Sequence, residues 1–91
     1  HIVLNNNAHE SVGGQTTTAA TINFKYLAKS LGYKKFFKVK KKNKLKKSLK
    51  IFLKSKGPSF LEVVHDQGSM KNLLRPKQLS KIKSEFMLNW W

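Results

Sequence analysis

The stretch HIVLNNNAHESVGGQ, residues 1–15, decides which fold class we expect for the chain. Its apolar start, residues 1–4, is followed directly by asparagine, as is typical of a buried parallel strand at its carboxyl end. The Asn-, Gly- and Thr-rich residues 5–21 then predict a loop, with Gly13-Gly14 as its sharpest turn signal. Such a strand indicates an open α/β sheet, in which ligands bind beside the carboxyl ends of the strands.

Helices and strands alternate in the middle of the chain. Asn23 can cap a helix that Gly32 ends, and the apolar positions of this helix follow the spacing i, i+3, i+4, i+7: Phe24, Leu27, Ala28 and Leu31. Residues 36–39, apolar among lysines, predict a second short strand. Residues 43–54 predict an amphipathic helix, with leucines and a phenylalanine on one face and lysines around the rest.

The last third of the chain continues the alternation. Gly57-Pro58 ends the preceding helix, and the β-rich residues 59–64 predict the third strand. Residues 65–76 are expected to be irregular, and a C-terminal helix follows with one apolar side: Leu79, Ile82, Phe86 and Trp90. Strands alternating with helices predict right-handed crossovers, so the expected fold is α/β, a parallel sheet of three strands with three helices.

The composition limits the class of protein. The 91 residues, 40% of them hydrophobic, suffice for one small domain. The absence of cysteine leaves no disulfide or thiolate metal site and fits a reducing, cytoplasmic setting. No apolar run approaches the roughly 20 residues that span a bilayer, so we expect no membrane partner. Because His1 directly precedes a strand and no methionine comes first, we expect a fragment whose upstream part is missing.

The charge of the chain is strongly positive. Nineteen basic residues face four acidic ones, a net charge of +15, which suggests nucleic acid or an anionic surface as a partner. Only Arg75 is an arginine, whereas recognition of bases and phosphates favours the guanidinium group. A small lysine-rich nucleic-acid-binding module therefore remains the alternative function, and coding bias toward lysine is a sufficient explanation for the charge.

The loop after the first strand carries oxygen donors suited to a hard cation. The side-chain amide of Asn6 and a backbone carbonyl near Ala8 are of the type that Mg²⁺ or Ca²⁺ accepts, and one turn of the chain would bring them to the same ion. The alternative is that the asparagines cap the strand and form Asx-turns, which are common in such loops.

Three segments resemble one enzyme family. VLNNNAHESVGGQ, residues 3–15, looks like the cofactor loop of thiamine diphosphate-dependent decarboxylases, especially the phosphonopyruvate and sulfopyruvate decarboxylase branch. GPSFLEVVHDQGSMKNLLRP, residues 57–76, is similar to that branch's last strand and following loop, and INFKYLAKSLGY, residues 22–33, is a weaker match. The resemblance spans nearly the whole chain and implies that residues 1–91 are the C-terminal portion of a thiamine diphosphate-binding domain.

The resemblance implies roles for individual residues of the loop. In this family an asparagine at the end of the strand and a backbone carbonyl two residues later hold Mg²⁺, which in turn grips the cofactor diphosphate; here these are Asn6 and the carbonyl of Ala8. The residues expected at the cofactor are Asn6, Ala8, His9, Glu10, Ser11 and Val12. His9 is the expected catalytic proton carrier and Glu10 its partner; the alternatives are a hydrogen-bonding loop histidine and an exposed turn carboxylate.

The resemblance also implies an activity and partners. Such enzymes use thiamine diphosphate and Mg²⁺ to convert a 2-oxo acid, here phosphonopyruvate or sulfopyruvate, into an aldehyde and carbon dioxide. Their sites form between domains or subunits, so we expect a pyrimidine-binding domain or subunit as partner and a homo-oligomer for the full-length protein. That domain and the family's upstream Gly-Asp-Gly motif are absent from this chain, which we therefore expect to be inactive alone.

The chain departs from the family pattern at several positions. Asn7 stands where glycine is more usual, which we expect to affect the turn, and Thr16 replaces a common proline. The helix at residues 43–54 is lysine-rich where relatives tend to be glutamate-rich. Arg75 is able to bind an anionic group bidentately, but an arginine before proline at a loop end more often pairs at the surface.

Overall fold

The structure, a computed structural model, describes residues 1–90, without the side chain of Trp90. Its helices and strands in chain order are β1 (Ile2–Asn5), β2 (Ala8–His9), β3 (Gln15–Thr16), α1 (Phe24–Ser30), β4 (Lys35–Val39), α2 (Lys42–Lys54), β5 (Ser59–Val64) and α3 (Leu79–Trp90). The expected α/β class and the parallel sheet of three strands with three helices are confirmed. The expected apolar role of the Trp90 side chain lies outside the described residues.

The sheet is parallel and has the order β1-β5-β4. On either side of the central strand β5, Leu61 pairs with Ile2 of β1 and with Phe37 of β4. Strand β5 is the most buried element, and its first four residues are all buried. Because all three strands run in the same direction, their carboxyl ends meet at one edge of the sheet.

The two faces of the sheet are covered by different helices. On one face the Phe60 ring contacts Phe24 of α1 and Phe36 of β4, with ring centroids 6.2 and 5.8 Å apart. On the other face Phe37 meets Phe52 of α2 edge to face at 6.1 Å. Since the chain crosses from β1 out to β4 and then back to β5, right-handed crossovers require this placement of α1 and α2 on opposite faces.

Helix α1 forms where the sequence predicts it. The Asn23 side-chain oxygen accepts a hydrogen bond from the Tyr26 N–H at 3.2 Å, and Gly32 adopts φ 85° after the last turn. Asparagine at the N-cap and glycine just past the end satisfy backbone groups that the helix leaves unpaired. Ala28 is completely buried, whereas Leu27 and Leu31 are 40% and 66% exposed, so the predicted apolar stripe is only partly covered.

The loop predicted for residues 5–21 is more ordered than expected. Within it β2 and β3 pair antiparallel, and two short 3-10 turns lie at Glu10–Val12 and Thr18–Ala20. The reversal depends on Gly13 and Gly14, whose φ angles are 102° and 74°. Because only glycine enters that region of backbone conformation at little cost, the pair returns the chain alongside itself.

The C-terminal region follows the prediction in its outline. Residues 65–78 form neither helix nor strand, and α3 begins at Leu79. Its apolar side is largely exposed, with Leu79, Ile82 and Phe86 showing 68%, 48% and 58% of their surface. Within residues 1–90, none of the helices has the length and apolar character needed to cross a bilayer.

Candidate functional site

The candidate site begins with Asn5, the last residue of β1. Its side chain is buried, and both ends of its amide are bonded: Nδ2 donates to Glu62 Oε1 at 3.1 Å, and Oδ1 accepts from the Asn7 N–H at 3.0 Å. Its backbone carbonyl accepts from the His65 N–H at 3.0 Å. Asn5 therefore joins the start of the polar loop to the end of β5.

Asn7 occupies a left-handed backbone conformation with φ 58°. Residues other than glycine rarely adopt it, but asparagine tolerates it better than most because its short amide bonds locally. We expected that asparagine in place of glycine would affect this turn. In the structure Asn7 has the positive φ that glycine adopts most easily.

Asn6 lies in the Asx-turn that the sequence offered as an alternative. Its Oδ1 accepts from the Ala8 N–H at 3.0 Å, and its Nδ2 donates to Glu10 Oε2 at 3.0 Å. An amide oxygen has two lone pairs, so the turn uses one of them and leaves one for a further partner. The Asx-turn and a metal contact by Asn6 are thus compatible.

The backbone around Ala8 decides where its carbonyl points. The Asn7 carbonyl accepts from the Thr17 N–H and the His9 carbonyl from the Gly14 N–H, both at 3.0 Å. Ala8 lies between them and pairs with Thr16. In an antiparallel pair hydrogen-bonded and non-hydrogen-bonded positions alternate, so the Ala8 carbonyl is directed away from β3, to the same side as its N–H. That is the side on which Asn6 Oδ1 lies.

The donor types at this turn fit a hard divalent cation. One neutral amide oxygen and one backbone carbonyl oxygen face the same side, and Mg²⁺ prefers oxygen ligands, usually combined with carboxylates, phosphates and water. Among residues 1–90 there is no group of three or more His, Cys, Asp or Glu side chains that could hold a metal. The two neutral oxygens would make up this chain's share of a site that other groups complete.

Glu10 connects this turn to the segment after β5. One carboxylate oxygen accepts from Asn6 Nδ2, and the other accepts from the backbone N–H of Gly68. We expected Glu10 to orient His9, but its hydrogen-bond partners are these two N–H groups. The reason is its place in the 3-10 turn Glu10–Val12, which directs the side chain back toward Asn6 and across to residues 66–69.

His9 has a different partner. Its Nδ1 and Ser11 Oγ are 3.0 Å apart, and both residues are exposed. A bond at Nδ1 fixes the ring orientation and leaves Nε2 as the nitrogen available to a ligand. Val12, the last of the expected cofactor-binding residues, is 57% exposed.

One residue of the site was missed by the sequence reasoning. Glu62, on β5, is 2% exposed and pairs with Lys38 Nζ at 3.2 Å as well as with Asn5. A cavity of about 220 Å³ adjoins them and is also lined by Asn7 and Lys40. The signal was present as the single acidic residue within the buried run SFLEVV, since buried carboxylates are rare unless they are paired.

Comparison with known protein families identifies the family to which this chain belongs. Residues 1–63 match the family described as "Thiamine pyrophosphate enzyme, C-terminal TPP binding domain", and the chain belongs to that family. The family expected from the loop motif is thereby confirmed.

Two curated relatives have the same name. The chain is similar to phosphonopyruvate decarboxylase of Streptomyces viridochromogenes, with 31% identity over 77 residues, 85% of this chain. It is 30% identical over 77 residues to phosphonopyruvate decarboxylase of Streptomyces hygroscopicus. The chain spans 19% of the length of each of these relatives. No solved structure gives a significant match to the chain.

Proposed function

We propose that the full-length protein is a thiamine diphosphate- and Mg²⁺-dependent decarboxylase of a 2-oxo acid such as phosphonopyruvate or sulfopyruvate, yielding an aldehyde and carbon dioxide. Residues 1–91 are then the C-terminal portion of its cofactor-binding domain. The observation that carries the proposal is the turn at the end of β1, where Asn6 Oδ1 accepts from the Ala8 N–H, and the strand alternation implies that the Ala8 carbonyl lies on the same side. Membership of the thiamine pyrophosphate enzyme family and the names of the two Streptomyces relatives support the reaction class and substrate.

In this proposal the first task of the loop is to hold the metal and the cofactor diphosphate. Asn6 and Ala8 contribute oxygens to Mg²⁺, while the exposed residues His9, Ser11 and Val12 lie against the cofactor. The cofactor, when bound, supplies the electron sink for loss of carbon dioxide. Lys40, which lines the adjoining cavity, adds a positive charge that favours an anionic ligand, whereas the charge of Lys38 is paired with Glu62.

The second task concerns proton transfer and the position of the loop. His9, held at Nδ1 by Ser11, presents Nε2 as a proton carrier toward the substrate. Glu10 acts by holding the loop, because its two oxygens bind Asn6 and the Gly68 N–H. In this way Glu10 keeps the residue that binds the metal and the segment after β5 at a fixed separation.

The proposal includes partners that this chain does not contain. A pyrimidine-binding domain or subunit would contribute the acid that activates the cofactor, and an upstream carboxylate would add a charged ligand to the metal. The full-length enzyme would work as a homo-oligomer in the cytoplasm, with a small 2-oxo acid as its substrate, whereas nucleic acid is not an expected partner.

The test uses the full-length protein with phosphonopyruvate and sulfopyruvate as separate substrates. Release of carbon dioxide and of aldehyde is measured with and without thiamine diphosphate and Mg²⁺. We expect one of the two substrates to be turned over, and only when both cofactors are present. We also expect Asn6→Ala to lose thiamine diphosphate binding. Asn43→Ala, on the exposed surface of α2, is the matched control and should behave as wild type. Absence of both turnover and cofactor binding in the wild type would refute the proposal.

A further inference from the structure

A hydrogen-bonded series of side chains crosses the sheet beside residues 5–8, the turn at the end of β1. It runs from Lys38 on β4, through Glu62 on β5, to Asn5 on β1, with contacts of 3.2 Å and 3.1 Å. Glu62 is 2% exposed and Asn5 8%, while the Lys38 side chain is 47% exposed. This series of side chains therefore extends from the surface of β4 to the buried end of β1.

Glu62 needs its partners because it is buried. A carboxylate removed from water is stable only when it is paired with a charge and hydrogen-bonded. Lys38 supplies the charge at one oxygen, and the amide of Asn5 supplies a donor at the other. The carboxylate can only accept, so it fixes which end of the Asn5 amide faces it: the Nδ2 end.

That orientation determines the geometry of the next residues. The two ends of an amide point in different directions, so when Nδ2 faces Glu62, Oδ1 is presented to the Asn7 N–H, which it binds at 3.0 Å. This bond fixes the peptide group between Asn6 and Asn7, and Asn7, with φ 58°, then sets the direction of the chain toward Ala8. The two candidate metal ligands lie on either side of this residue.

We propose that Glu62 and Asn5 are positioning residues for the metal: Glu62 orients the Asn5 amide, and Asn5 holds the turn that directs the Asn6 and Ala8 oxygens to one side. Neither residue contacts the metal. The inference rests on the proposed function, since it assumes that Asn6 and Ala8 bind a divalent cation. A purely structural role for the same contacts predicts a loss of stability without a change in metal affinity.

The experiment measures Mn²⁺ binding to the full-length protein in the presence of thiamine diphosphate, by the loss of the paramagnetic resonance signal of free Mn²⁺. Asn5→Ala and Glu62→Ala should raise the Kd for Mn²⁺ about 10- to 100-fold, the range found when residues behind metal ligands are changed. Glu62→Gln keeps an oxygen that can accept from Asn5 and should change the Kd less than Glu62→Ala does.

Two control variants separate positioning from stability. Leu61→Ala removes a completely buried side chain of the neighbouring residue on β5, so it should lower the unfolding temperature while leaving the Kd for Mn²⁺ within about twofold. Asn43→Ala, on the exposed surface of α2, is far from the turn in the sequence and outside the proposed site, so its Kd should match that of the wild type.

The outcomes are distinct. If the wild type binds Mn²⁺ and Asn5→Ala binds it equally well, the positioning role is refuted while the proposed function stands. If the wild type with thiamine diphosphate does not bind Mn²⁺, both are refuted. Should Glu62→Ala not give folded protein, Asn5→Ala decides the question, and a Kd no more than twofold above that of Leu61→Ala overturns the inference.

Discussion

Residue 7 offers the sharpest test of the turn geometry. Asn7 has φ 58°, a conformation that costs an alanine roughly 1–2 kcal/mol because its Cβ approaches the following carbonyl. Glycine avoids this cost but loses roughly 0.5–1 kcal/mol of conformational entropy on folding. Valine adds the crowding of a branched side chain. We therefore expect Asn7→Gly to be as stable as the wild type or slightly more stable. Asn7→Ala should be about 1 kcal/mol less stable than Asn7→Gly, and Asn7→Val less stable still.

The assay is thermal unfolding of the full-length protein and of the variants Asn7→Gly, Asn7→Ala and Asn7→Val, each compared with wild type under identical conditions. The matched control is Lys47, an exposed residue in the middle of α2. Its glycine and alanine variants should have the opposite order of stability. There alanine should exceed glycine by about 1 kcal/mol because the backbone is helical. An Asn7→Ala variant at least as stable as Asn7→Gly would show that residue 7 is not left-handed and would remove the geometric basis for the proposed metal contacts of Asn6 and Ala8.

Three further predictions concern the loop, the core and the charge. Glu10→Gln should keep part of the contact with the Gly68 N–H, and Glu10→Ala should lose it. The affinity for thiamine diphosphate, measured by fluorescence titration, should therefore fall more in Glu10→Ala than in Glu10→Gln. Equal affinities would contradict the role of Glu10 in holding the loop. Phe60→Ala should destabilise the protein by about 3–5 kcal/mol, seen in urea unfolding, because this 4% exposed ring contacts four other rings; a cost below about 1 kcal/mol would contradict the described core. Binding of a short DNA duplex should fall steeply with salt and be negligible at physiological ionic strength, and tight binding there would favour the nucleic-acid alternative.

Much of the fold could be predicted because its signals are local. The apolar spacing of α1, its cap at Asn23 and its end at Gly32 lie within one short segment, and each was found in the structure. The parallel sheet followed from the alternation of helices and strands. The hairpin inside residues 5–21 was missed because its strands have two residues each and it depends on how Gly13 and Gly14 reverse the chain.

The candidate site was less predictable because its contacts are long-range. The motif singled out Asn6 and Ala8, but Glu62, whose carboxylate binds the preceding residue Asn5, lies 57 residues further along the chain than Asn5. Glu10 likewise meets Gly68 from across the fold, although its neighbour His9 was the expected partner. No periodicity relates residues so far apart in sequence, and pairing of this kind is decided only when the sheet assembles.

The strand order has a consequence for biosynthesis. Strand β5 separates β1 from β4, so among these three strands the first to be synthesised pairs only with the last. Ile2 can pair with Leu61 only after residue 61 has been synthesised. Glu62, whose carboxylate binds Asn5, is the next residue. Non-local pairing of this kind is slow and leaves strand edges uncovered in the interval. A nascent chain halted before residue 59 would carry all of residues 5–21 yet lack the strand whose Glu62 binds Asn5.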